Sequence, residues 1–151
     1  MTAKLWRWAL DPGSLRTAWL MRLVVGGIFV SEGIQKFLFP EELGVGRFTK
    51  IHIPMPSVMA PFVGVVEVVG GLLLTVGLAT RLVCIPMLID MVVAITSTKL
   101  VALGKVGLWK TMHEARTDLL MIACLVVLLA VGAGPLSLDQ KLVQRSEPRD
   151  G

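Results

Sequence analysis

A single glutamate, Glu67, stands in the middle of the apolar run Gly64-Val65-Val66-Glu67-Val68-Val69-Gly70-Gly71. A carboxylate so placed is costly unless it faces protein, water or ligand, which makes it a site candidate. Other apolar runs carry groups that could answer it. Arg22, Gly26, Phe29, Gly33 and Lys36 recur on one helical face. Glu32 lies at the edge of that face, one turn before Lys36, where the two can pair. Asp90 lies at a depth similar to that of Glu67 in the following run, and Arg116 and Asp118 open the last one. Paired and hydrogen-bonded, such groups stay ionised; two carboxylates that meet would share a proton or a cation such as Arg22. Glu67 and Asp90 are therefore the candidate catalytic pair. Arg22, Glu32, Lys36, Arg116 and Asp118 are candidate ligand contacts, with Lys36, Glu32, Arg116 and Asp118 forming a polar mouth. Gly64 and Gly71 bracket Glu67 where a neighbouring backbone or a ligand can come close. The competing reading of all these charges and glycines is interhelical packing alone.

The elements that must carry these residues are helices. Four apolar blocks, at about 17–39, 57–78, 81–103 and 116–135, are each near the ~20 residues that cross ~30 Å of hydrocarbon. They predict an all-α fold, an integral membrane four-helix bundle spanning 16–139. A short interfacial segment, 1–15, precedes it with Lys4-Leu5-Trp6-Arg7-Trp8, and a polar, flexible tail, 140–151, follows. The short link Ala79-Thr80-Arg81 makes the second and third helices antiparallel neighbours. The links around 40–56 and 104–115 lie together on the other side of the membrane and can cover the bundle there.

Composition supports this class. The 151 residues are 54% hydrophobic and only 17% charged, and the apolar residues fall in blocks. The net charge of +4 is scattered over the ends of those blocks, which speaks for lipid headgroups and against nucleic acid. Basic residues nearly balance on the two sides; the N-terminal cluster tips the expectation toward both termini in the cytoplasm. Cys84 and Cys124 form no Cys-x-x-Cys pair and sit at depths about 10 Å apart, which argues against a disulfide and against dithiol chemistry. His113-Glu114-Ala115-Arg116-Thr117-Asp118 has irregular offsets for metal ligation, so no metal site is expected.

Taken in order, Arg22 with Gly33 and Lys36, Pro54-Met55-Pro56 leading to Gly64-x-x-Glu67-x-x-Gly70-Gly71, Gly77-x-x-Thr80-Arg81, and Gly132-x-Gly134-x-x-Ser137-Leu138-Asp139 form a recognisable series. The chain resembles the DoxX family over roughly 22–139. The resemblance implies a four-span bundle in the bacterial inner membrane. It also implies a loose link to redox chemistry, since relatives are associated with thiosulfate:quinone oxidoreductase and with membrane complexes of redox proteins. Others resemble assembly factors.

Two functions of different class follow. In the first, the protein is a redox-linked subunit that holds a quinone or another amphipathic small molecule, with Glu67 as proton acceptor and Arg22 and Asp90 setting its charge. In the second, it is a non-enzymatic scaffold that docks an oxidoreductase partner near Trp109 and His113. A small transporter or proton pathway is a third reading, and a face such as Gly27-x-x-x-Ser31 could support a homo-oligomer.

Overall fold

A computed structural model describes Trp8, Asp11 and residues 15–146. Helix α1 is Ala18–Leu38. The chain leaves it where the Phe39 amide still reaches Gln35 O at 2.8 Å and Pro40 follows. A short helix α2, Val45–Lys50, lies in the first link. Helix α3 is Pro56–Val76, with proline at its first position, where a missing N–H costs nothing. It closes at Gly77, which adopts a left-handed φ of +70°, and the amides of Gly77 and Leu78 return to Leu74 O and Leu73 O.

Helix α4, Thr80–Ala94, continues through a π-helical stretch, Ile95–Leu100, into α5, Val101–Val106. Helix α6, Leu108–Val131, begins after Gly107, eight residues before the start near 116 expected from the apolar block. Its first two turns mix exposed polar and apolar residues yet remain helical because no proline or glycine lies between Leu108 and Arg116. Helix α7, Leu138–Ser146, occupies much of what the sequence suggests is a flexible tail. Ser137 starts it by accepting the Gln140 amide at 3.2 Å. Residues 147–151 and most of the expected interfacial segment lie outside the described residues.

The four long helices touch in a ring, α1 to α3, α3 to α4, α4 to α6 and α6 back to α1. Phe29, Leu74, Met87, Leu125 and Leu128 fill the centre and are fully buried. The tightest seam is α1 against α3. A Cβ on Gly33 would lie 2.7 Å from Gly64 O, and one on Gly71 would lie 2.6 Å from Gly26 O. Only hydrogen in place of a side chain lets these backbones meet.

The outer surface is apolar on every side. Leu20 and Val24 of α1, Val65 and Leu72 of α3, Ile89 and Val92 of α4, and Leu120 and Val126 of α6 are all exposed. A soluble protein rarely exposes so much contiguous apolar surface. Pro56–Val76 and Thr80–Val106 are each long and apolar enough to cross a membrane. Helices α1 and α6 dilute their apolar residues with Arg22, Glu32 and Lys36 and with Glu114, Arg116 and Asp118. Among the described residues there is no strand. The chain is an all-α membrane protein.

A polar clasp closes the end that carries the α3–α4 turn. Asp139 is buried and accepts the amides of Ala79 at 2.6 Å and Thr80 at 3.1 Å, capping α4 from sixty residues away. Its own amide donates to Gly77 O at 3.0 Å. Burial pushes the Asp139 carboxyl above its ordinary range, while the two amides and the Arg22 charge pull it back. Arg81 reaches Asp11 Oδ2 and Trp8 O, each at 3.1 Å, and ties the N-terminal segment to the same end.

Gly33→Ala and Gly71→Ala should each destabilise the fold by roughly 1–3 kcal/mol, because a methyl group meets backbone that cannot yield cheaply. Gly27→Ala, with open space around it, should be neutral. Thermal melts of the purified variants in detergent check this. Asp139→Ala should cost about 2 kcal/mol in the same assay through the lost cap.

Candidate functional site

Helices α1, α3 and α4 each contribute one charged group to a buried triad. The Lys36 ammonium, from the last turn of α1, lies 2.5 Å from Glu67 Oε2. Both side chains are nearly covered, at 12% and 4% exposure. Asp90 of α4 brings a second carboxyl within reach of the Lys36 charge, on the same wall as Glu67. One lysine balances two acids only when one of them carries a proton. Asp90 Oδ2 is buried with no hydrogen bond of its own.

The triad forms one end of a cavity of about 680 Å³ between α1, α3, α4 and α6. Its walls are mostly apolar, with Phe29, Val63, Val66, Ile89 and Met121 among them. Leu43, Phe48, Ile51 and Ile53, in and around α2, complete the wall toward the linked side, together with Arg47. The π-helical stretch supplies Ser97, Thr98 and Lys99. A π turn leaves carbonyls short of their usual partners and is common at functional sites. Here the Thr96 and Thr98 hydroxyls return to Val92 O and Ala94 O at 2.8 and 2.6 Å. Lys99 lies 4.0 Å from Asp118 of α6, and the two make a second polar corner.

Of the candidates from sequence, Glu32, Lys36, Glu67, Asp90 and Asp118 all line this one cavity. Four do not. Arg22 lies at the clasp, where Nη2 donates to Leu136 O at 2.5 Å and the guanidinium packs on Gly77. It therefore cannot set the charge of Glu67; on α1 it stands about 21 Å from Lys36 along the axis. The cation at Glu67 is Lys36, which in turn is not paired with Glu32 as its spacing suggests. Gly64 and Gly71 are closed off by Gly33 and Phe37 and by Gly26 and Val30, so they admit a helix and leave no room for a ligand. Arg116 is exposed and turns back to the carbonyl and ring of His113 on its own helix, away from Asp118. Arg47, Phe48 and Lys99 were not singled out. Phe48 between Arg47 and Lys50 in a short amphipathic segment was the available signal for the first two; Lys99 had none.

A ring of four long helices with an acid–lysine triad on its inner wall and an apolar outer surface is an all-α membrane architecture. The DoxX family model matches residues 17–102, a stretch that contains Lys36, Glu67 and Asp90, and the chain belongs to that family. It is 50% identical over 132 residues to an uncharacterized membrane protein of Mycobacterium tuberculosis, covering 83% of this chain and 81% of that one. It is 33% identical over 120 residues to CatD of Bacillus subtilis, a protein named as a candidate oxidoreductase, covering 80% and 82%. No solved structure matches the chain.

Lys36→Met should destabilise the protein by roughly 3 kcal/mol, since it leaves the acid pair without a cation. Adding Glu67→Gln should restore part of that loss. A double-mutant cycle on detergent unfolding measures the coupling; additive losses would show that the two groups act independently.

Proposed function

We propose that all four long helices cross the bacterial inner membrane, with both termini cytoplasmic, and that the cavity holds an amphipathic small molecule with a quinone-like head. The observation that carries this reading is the coincidence of the Lys36–Glu67–Asp90 triad with the wall of a mostly apolar cavity. The cavity volume is in the range of sites for drug-sized ligands, which are apolar with a few convergent polar groups. Lys36 is suited to donate to a carbonyl oxygen on the head. The Glu67–Asp90 pair is suited to hold and release a proton beside it. Reduction of a quinone to a quinol takes up two electrons and two protons. The chain has no dithiol, so the electrons come from a partner oxidoreductase at the membrane surface and the triad handles protons. The name carried by CatD agrees with a redox setting.

The scaffold reading draws on one observation. Trp109 is 85% exposed at the start of α6, beside the exposed Leu108 and Met112, and offers an apolar foothold on the linked side.

Native mass spectrometry of protein released gently from its own membranes separates the two. A quinone-sized adduct is expected on the wild type and absent from folded Glu67→Gln. No adduct on either, with a protein partner retained on both, would replace the small-molecule reading with the scaffold.

A further inference from the structure

The seam between α3 and α4 holds a second cavity, of about 310 Å³, that nothing so far uses. Val65, Val69 and Leu73 of α3 and Val83 and Met87 of α4 line it, and it is almost wholly apolar. Gly70 forms its floor; a Cβ there would lie 2.6 Å from Met87 Cε, so the groove is as deep as the helix contact allows. Val66 and Pro86 line both cavities. The polar cavity is also open on this side, where its lining residues Phe62 and Ile89 are 58% and 60% exposed. The two spaces therefore adjoin across Val66 and Pro86, one with a polar centre and the other lying along the lipid-facing seam.

We propose that the two adjoining spaces together bind one single-chain amphiphile with an uncharged polar head, the head at Lys36–Glu67–Asp90 and the chain along the α3–α4 groove. The inference rests on the small-molecule reading above and adds how the ligand lies, how it arrives and what head it carries. The groove runs along α3 from Val66 to Leu73, about 10 Å of axis, a length and apolar lining that suit one extended chain. Loading is lateral, from the bilayer. The linked side is walled by Leu43, Phe48, Ile51 and Ile53, whereas the seam opens directly to lipid. The head is uncharged rather than anionic, because the lining already carries one acid more than it has cations. Lys36, Arg47 and Lys99 face Glu32, Glu67, Asp90 and Asp118, and an anionic head at the triad would meet two acids for one lysine.

The test uses the full chain in nanodiscs and two probes, decylubiquinone and the same dimethoxy-methyl-benzoquinone ring without a chain. Val69→Trp fills the groove from its lipid side; Val65→Trp serves if that variant is not monodisperse and helical. Either substitution should lower the affinity ratio of the tailed to the tail-less probe by about tenfold or more, whereas Glu67→Gln should weaken both probes alike. Decyl phosphate should displace decylubiquinone at least tenfold less well than an equal-length neutral alcohol. A ratio unchanged in a folded groove variant, with both probes still dependent on Glu67, overturns the groove while sparing the head site. Equal displacement by decyl phosphate overturns the uncharged head. Failure of both probes to bind the wild type overturns the head site and this inference with it.

Discussion

The structure depends on one contact, the reach of Lys36 to Glu67. A carboxylate in the middle of α3 has to be answered, and α1 answers it only because two pairs of glycines bring the helices close. Gly26 against Gly71 and Gly33 against Gly64 fix an antiparallel register in which Val30, and no charged residue, stands opposite Glu67. Lys36 lies about 9 Å further along the axis, and its flexible stem covers that gap while remaining beside apolar wall. The polar centre is therefore positioned by residues without side chains.

The two ends of the ring are built differently. At the end with the α3–α4 turn, Asp139, Arg22, Gly77 and Arg81 tie together both terminal segments and the turn through main-chain hydrogen bonds. Toward the other end, α3 and α4 part around Pro86, α4 widens into a π stretch, and α2 lies across the gap. Proline removes one backbone donor and a π turn loosens several more, so both irregularities fall in the half of α4 that walls the cavity. Rigidity and space are segregated along the same pair of helices.

Much of this was legible in the sequence, and the failures have specific causes. Glu67 and Asp90 were visible because acids in apolar runs must face protein, water or ligand, and Lys36 was visible on the correct face of α1. Which cation meets Glu67 was not, because a face is set by helical period whereas a partner is set by interhelical register, and the glycine contacts that fix register involve two helices at once. Arg22 was assigned to the site on face alone and belongs to the clasp. The glycines were read as open to a ligand or a helix, and the helix fills them. The eight extra residues at the start of α6 were hidden because hydropathy marks where a helix turns apolar, not where it begins. The π stretch left no trace in Ile95–Leu100 beyond Thr96 and Thr98, whose hydroxyls are equally at home on an ordinary helix surface.

Energetics separate a structural from a functional reading of the triad. A buried ion pair is often no more stabilising than apolar residues of the same volume, so stability alone gives weak reason for one. An internal void also costs stability, through the contacts its lining forgoes. Each cost taken alone could be an accident of packing. In this molecule they coincide, since the acids and lysine line a cavity of about 680 Å³ instead of packing against protein on every side. The apolar walls do not solvate the charges, and the charges do not fill the space. A molecule that brings polar atoms to the triad and apolar atoms to the walls relieves both costs at once.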